Sequence, residues 1–238
     1  MCLSLIGKSG AGKTALMSVI AKRMTEKFPN CMTVIRYCGT SPESMDGFSL
    51  TKSIISQIYA NFGISGAVST SYKEAVDELQ QLMSKYPVVL FVDSIDQLND
   101  SYQARSKLTF LLRSEESPAL HKDSRIIVSA LPDEKEADGK TWKYCYMSET
   151  RLKEEAVPRV DVRFDQDSKM TQESVILSGL LLHRYNRSLS PLQLQYLLEK
   201  ASEEPTALWL MLAANIARKW LSSWAVQSKH CCMKDYEI

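Results

Sequence analysis

The chain carries almost no net charge: 29 Lys and Arg stand against 28 Asp and Glu, leaving +1 at pH 7. No basic excess is present to attract DNA, RNA or an anionic membrane, so none of these is expected as a partner. Long apolar runs are also missing. The longest near the C-terminus, Ala207–Ala214, is far below membrane-spanning length, and the run after Met1 is too short for a secretory leader. The six cysteines, Cys2, Cys31, Cys38, Cys145, Cys231 and Cys232, form no C-x-x-C pair and no Cys/His cluster with zinc spacing. Cys31 and Cys38 flank an apolar run and are expected as buried thiols. Cys231-Cys232 lies too far from the end for prenylation. Scattered unpaired thiols suit a reducing cytosol, and a cytoplasmic location is expected. No internal repeat or low-complexity segment is visible. What remains is ordinary for a globular chain of 238 residues: 45% hydrophobic and 24% charged. That is enough for a core without disulfides, as one large domain or one domain with a small appendage.

Against this plain background one stretch stands out. Gly7, Lys8, Ser9, Gly10, Ala11, Gly12, Lys13 and Thr14 fit G-x-x-x-x-G-K-[ST], the Walker A phosphate loop. The loop follows an apolar run, Cys2–Ile6, and leads into an apolar-periodic stretch, which is the strand–loop–helix context the pattern needs. A nucleotide tail is a polyanion and needs convergent donors. Glycines let the backbone curl so that its N–H groups point at phosphate oxygens. The following helix adds its positive N-terminal end. Lys13 is then placed to neutralise the β- and γ-phosphates, and the Thr14 hydroxyl to ligate Mg²⁺.

Elements alternate along the rest of the chain. A helix is expected over Thr14–Lys27, with Leu16, Val19, Ile20 and Met24 on one face. Met32–Ile35 is apolar and β-rich and predicts a buried strand. Ser49–Phe62 carries Leu50, Ile54, Ile55 and Ile58 at helical spacing, and Tyr72–Lys85 carries Ala75, Leu79 and Leu82. Pro87–Asp93 predicts an apolar strand, Tyr102–Arg113 a helix, and Arg125–Ser129 the next strand. The charged stretch Pro132–Lys140 predicts a loop, Thr141–Ala156 gives no assignment, and Val160–Phe164 suggests a last strand. From Thr171 onward the pattern is helical only: one helix marked by Val175, Leu180, Leu181 and Tyr185, a second over Pro191–Ala201 capped by Ser190, and a third over Pro205–Trp224. In the third, Trp209, Leu212, Ala213, Ile216, Trp220 and Trp224 are expected on one core-facing stripe. Alternation of strands and helices predicts an α/β fold: a P-loop NTPase parallel sheet sandwiched by helices, followed by a small all-helical subdomain. The expected organisation is a core over residues 1–168, helices over 169–224 and a loosely ordered tail over 225–238.

In open α/β sheets ligands bind at the carboxyl ends of strands, and both Lys13 and Asp93 fall there. The apolar run ending in Asp93 therefore reads as Walker B, its carboxylate holding Mg²⁺ opposite Thr14, directly or through water. Hydrolysis needs a group that orients or deprotonates the attacking water. Asp96 is the better candidate, because Gln97 can orient water but cannot act as a base. Ser129, at the end of the following strand, is placed to sense the γ-phosphate or the water.

Together with the phosphate loop, the stretches Val34–Ile58, Val88–Asp100, Arg125–Pro132 and His183–Arg218 resemble the NACHT-type STAND ATPases, and among them those that carry WD repeats. The resemblance implies a nucleotide-gated switch: ADP holds a closed form, and exchange for ATP permits an open, oligomerising one. It also implies that Pro205 packs on the adenine, a role that a plain helix-starting proline would explain equally well. Three departures from the family pattern matter. Walker B is followed in the family by D-G-x-D-E, whereas this chain has Asp93-Ser94-Ile95-Asp96-Gln97 and lacks the final acid. Ala130 and Leu131 stand where many members carry an arginine. The chain also ends before any winged-helix domain or WD repeats and starts almost on the first strand, so it is expected to be a fragment and to bind nucleotide more weakly. Two other readings stay open. In a P-loop small-molecule kinase, Arg151 and Arg159 would serve as lid arginines. In an interaction module, nucleotide would bind without hydrolysis. No guanine-reading N-K-x-D is visible, so ATP over GTP rests on the resemblance.

Overall fold

The computed structural model describes residues 1–112, 117–135, 139–144, 146–163, 169–200 and 206–220. Five parallel strands form the central sheet in the order β2-β3-β4-β1-β7: β1 (Cys2–Ile6), β2 (Met32–Tyr37), β3 (Val88–Asp93), β4 (Arg125–Ala130) and β7 (Arg159–Asp161). Parallel pairing requires crossovers, and helices supply them on both faces. On one face α3 (Gly47–Phe62) and α4 (Tyr72–Lys85) bury Leu50, Ile54, Ile55, Ile58, Ala75 and Leu79 against Leu90 and Val92. On the other, α1 (Lys13–Lys27) packs against Val89 and Phe91. The two sets of sheet residues alternate along β3, as the two-residue period of a strand requires. Two polar caps set where the face helices begin. Asp46 accepts the Ser49 N–H at 2.8 Å ahead of α3, and Ser71 accepts the Glu74 N–H at 3.3 Å ahead of α4. Gly63, with φ of 63°, closes α3 in the left-handed conformation that glycine tolerates best.

The remaining elements are smaller. α2 (Pro42–Met45) occupies part of the loop after β2. β5 (Glu134–Lys135) and β6 (Trp142–Tyr144) form an antiparallel pair, and α5 (Ser148–Glu154) precedes β7. α6 (Lys169–Tyr185), α7 (Pro191–Lys200) and α8 (Ala207–Ala217) form the helical part. Contacts divide the chain into two compact units, Met1–Lys8 with Lys13–Val162, and Ser9–Gly12 with Arg163–Ile238. In the second unit Leu177, Leu181, Leu197, Leu210, Ala213, Ala214 and Ala217 form a core of their own.

Several sequence expectations are corrected. The inward stripe of α1 is Lys13, Met17 and Ala21, while Leu16 and Val19 are exposed. Tyr102–Leu112 is not an α-helix: Tyr102, Gln103 and Leu108 have φ of 59°, 58° and 50°. The apolar residues there are core residues nonetheless, since Ala104, Leu108, Phe110 and Leu111 join the α3–α4 cluster. Local side-chain bonds compete with the helix: the Asn99 side chain accepts the Ser101 N–H at 3.1 Å and Asp100 accepts the Ser106 N–H at 2.8 Å. The stretch without assignment holds β6 and α5, and the charged loop before it contains β5. In α6 the buried apolar residues among those described are Leu177 and Leu181, with Val175 exposed. In α8 they are Leu210, Ala213, Ala214 and Ala217, with Leu212 exposed. Cys38 is buried and Cys31 only half-buried. Arg113, Cys145, Phe164, Pro205, Trp224, Cys231, Cys232, the tail 225–238 and the expected boundaries at 168 and 224 lie outside the described residues.

Candidate functional site

The carboxyl ends of β1, β3 and β4 lie side by side, because Ile6 pairs with Ala130 and Val92 with Val128. Each strand end delivers part of the site. β1 runs into the phosphate loop, whose Gly7 N–H donates to the Ala130 carbonyl at 3.4 Å. β3 ends in Asp93, which is 2% exposed, and β4 carries Ser129, which is fully buried. The Thr14 hydroxyl, in the first turn of α1, donates to Asp93 Oδ2 at 2.6 Å. Ser129 Oγ donates to the other oxygen, Oδ1, and accepts the Ser94 N–H at 2.8 Å. Asp93 is therefore clamped by a hydroxyl on each oxygen, which fixes its carboxylate plane relative to α1.

Lys13 is buried, at 8% exposure, and its ammonium donates to the Gly7 carbonyl at 2.6 Å and the Lys8 carbonyl at 3.0 Å. Burial pushes its pKa below the ordinary 10.5, and the charges of Asp96 and Asp93 oppose that shift. Two main-chain carbonyls are poor compensation for a buried cation, so an anion entering the loop would meet an under-neutralised charge. Cys38 follows β2 beside the same carboxylates. Burial, aided by Asp93 and Asp96, pushes its thiol up to about 12, so it stays protonated and is no nucleophile.

Asp96 lies in a short 3₁₀ turn after β3. Its Oδ1 accepts the Leu131 N–H at 2.9 Å and its Oδ2 accepts Gln97 Nε2 at 2.6 Å. The expected water-activating carboxylate is thus buried and engaged on both oxygens, and Gln97 itself is exposed. The Leu131 contact occupies the β4 end where the family pattern puts an arginine; here the main chain fills that place. Ser94, where the pattern has glycine, sits in the left-handed region at φ of 57° and ψ of 51°. That geometry is what glycine supplies without strain.

In the second unit the loop tip Ser9–Gly12 meets the start of α8. The Leu208 N–H donates to the Gly10 carbonyl at 3.1 Å. A Cβ on Gly10, whose φ is +76°, would stand 3.0 Å from Thr206 Oγ1. The backbone sign favours glycine there, and the close approach would make the Thr206 side chain give way to a Cβ. Pro205, expected at the adenine, lies outside the described residues.

The donor set suits a hard cation. Thr14 Oγ1 and Asp93 Oδ2 are oxygens 2.6 Å apart, and Mg²⁺ takes one or two protein oxygens with phosphates and waters completing the shell. Thr14 can keep its proton on Asp93 and still offer a lone pair. The arginines considered as a lid are otherwise occupied: Arg151 pairs with Glu154 and Glu155, and Arg159 with Glu149 and Asp161. Sequence reasoning missed two residues around Thr14, namely Ser18, one turn further along α1, and Tyr37, at the end of β2. Polar residues at i+4 from the motif threonine and at the next strand end were the available signal.

Comparison with known proteins agrees with this geometry. The profile of the ATPase family associated with various cellular activities (AAA) matches residues 3–131. The chain is 29% identical over 231 residues to NACHT domain- and WD repeat-containing protein 1 of Homo sapiens. The likeness covers 92% of this chain, which spans only 14% of that protein's length. The resemblance to NACHT proteins drawn from the motifs is borne out. Among solved structures the chain is similar to CDC6P from Pyrobaculum aerophilum, with a TM-score of 0.52 at 16% identity, covering 90% of this chain and 53% of that one. It is similar also to the Aeropyrum pernix ORC2 protein in its ADPNP–ADP complexes, with a TM-score of 0.51 at 13% identity, covering 90% and 54%. These two likenesses show the fold, a P-loop sheet between helices, as the alternation of elements predicts.

Proposed function

This chain belongs to the ATPase family associated with various cellular activities (AAA), and we propose that within it the chain is the ATP- and ADP-binding NACHT module of a STAND-type signalling switch. The observation that carries the reading is the 2.6 Å contact between Thr14 Oγ1 and Asp93 Oδ2, which joins the phosphate loop to the Walker B strand end. Gly7–Thr14 cradle the phosphates, Lys13 exchanges its two carbonyl partners for phosphate oxygens, and Pro205 packs on the adenine. Thr14 and Asp93 would hold Mg²⁺, which would supply charge neutralisation of the phosphates. Ser129 keeps Asp93 in place. Hydrolysis is slow, because Asp96 is already engaged by Leu131 and Gln97 and Gln97 supplies no second acid. Nucleotide state gates a conformational change and self-association in the cytoplasm.

A non-hydrolysing interaction module is the second reading, favoured by the same engagement of Asp96 by Leu131 and Gln97. The kinase reading has no such support, since both proposed lid arginines are paired with acids, Arg151 with Glu154 and Glu155 at the end of its own helix and Arg159 with Glu149 and Asp161. Titration calorimetry of the 238-residue chain with ATP, ADP and GTP, with and without Mg²⁺, tests the proposal. Binding of ATP and ADP that Mg²⁺ strengthens, with GTP weaker, is the expected result. Absence of binding to every nucleotide overturns it. Slow release of ADP during long incubation with Mg-ATP selects the switch; none at all selects the module.

A further inference from the structure

Tyr37 is the last residue of β2 and pairs with Asp93 in the β2–β3 register. The neighbouring Cys38 N–H donates to the Asp93 carbonyl at 3.0 Å, which fixes the β2 end against the Walker B residue. The Tyr37 hydroxyl is 3.0 Å from Ser18 Oγ. Ser18 Oγ donates to the Thr14 carbonyl at 2.8 Å. A serine hydroxyl has a single hydrogen. With that hydrogen on Thr14, the Tyr37 O–H must be the donor to Ser18. The result is a directed chain from Tyr37 through Ser18 to the Thr14 main chain, and from the Thr14 hydroxyl onward to Asp93. Thr14 is held from two sides, its carbonyl by way of the β2 end and its side chain by the β3 end. Both strand ends are in turn joined through Cys38.

We propose that Tyr37 is a positioning residue for the divalent cation: it fixes the first turn of α1 so that Thr14 and Asp93 present their oxygens at one spacing. The inference rests on the reading of this site as a Mg²⁺–nucleotide pocket. It differs from a general structural role in where the effect falls. The phosphate tail by itself is held by loop N–H groups and Lys13, which Tyr37 does not touch. Its contribution therefore enters only the part of the affinity that the cation adds.

The test compares wild type, Tyr37→Phe, Ser18→Ala and the double variant, titrated with a non-hydrolysable ATP analogue with and without Mg²⁺. A lost hydrogen bond of ordinary strength should reduce the Mg²⁺-dependent gain in affinity by about three- to tenfold in either single variant. Mg²⁺-free affinity should stay within about twofold, and the double variant should lose no more than either single one, because the bonds act in series. An unchanged Mg²⁺ gain in Tyr37→Phe overturns the inference. So does an equal loss with and without Mg²⁺, which would mark a merely structural residue. Should Tyr37→Phe melt well below wild type, the half-buried Ser18→Ala variant decides by the same criterion. If wild type binds no nucleotide, the reading of the site fails and the inference with it; if wild type shows the Mg²⁺ gain and both variants retain it, only the inference fails.

Discussion

Helices α1 and α3 pack on opposite faces of the same sheet and meet it under different rules. α3 turns its large branched residues inward: Leu50, Ile54, Ile55 and Ile58 are at most 3% exposed. α1 does the reverse. It buries Lys13, Met17 and Ala21 and leaves Leu16 at 38% and Val19 at 50% exposure. A helix free to rotate would bury the leucine and valine, each worth roughly 1.5–3 kcal/mol when fully covered. α1 is not free. Lys13 and Thr14 leave the phosphate loop and must face the strand ends, so the residues one and two turns on, Met17 and Ala21, inherit the inward face. The chemistry of the first turn sets the rotation of the whole helix. In α3 no such anchor exists, and apolar periodicity decides alone.

The comparison is broken most forcefully at Lys13. Lys13→Met should lower affinity for Mg-ATP by about 100-fold or more, as expected when a buried charge loses its ionic partner. The same variant should raise the melting temperature of the nucleotide-free protein, because burial disfavours the ammonium. The sign of the pH dependence follows. Lys13 in the folded chain titrates below 10.5, so between its lowered value and 10.5 the unfolded state binds more protons and wild-type stability climbs with pH. Below that window the whole cost persists. The advantage of Lys13→Met over wild type in urea melts is therefore largest at neutral pH and shrinks towards pH 10.5. An advantage that grows with pH would show that burial of the ammonium is not the cause.

Stability sharpens the contrast next. Ile54→Ala in α3 should cost about 2–5 kcal/mol, the usual loss for an emptied core site. Val19→Ser in α1 should stay within about 0.5 kcal/mol, as for other exposed positions. Comparable losses in denaturant titrations would mean that both helices obey one packing rule. A modest effect of opposite sign is expected at the junction of the site with the sheet. Ser94 holds a left-handed backbone, so Ser94→Gly should stabilise the fold by about 1 kcal/mol while leaving its N–H on Ser129. Destabilisation in the same titration would show that the Ser94 side chain contributes more than its backbone costs.

The same division separates what was legible from what was not. β1, β3 and β4 could be read closely because central parallel strands are continuous apolar runs, and Asp93 could be read because the phosphate loop in the same chain calls for a carboxylate at a strand end. The stripe of α3 was legible for the reason just given. The face of α1 was not, since its rotation depends on a loop and a strand end 79 residues apart in sequence, Thr14 and Asp93. Tyr102–Leu112 misled because its apolar spacing imitates a helix while Asn99 and Asp100 tie the backbone into turns. Asp96 was chosen by its position after Walker B, but only the fold brings the Leu131 N–H to one of its oxygens.

Sequence by itself determined the phosphate loop, the alternation of strands with helices and the place of Asp93 at a strand end, because these depend on local propensity and on motif chemistry. Tertiary structure decided which carboxylate oxygens are engaged, which face of α1 is buried and that Tyr37 reaches Thr14 through Ser18. Those are distances between residues far apart in the chain, and they become fixed only when the strands are in register and the helices dock on them.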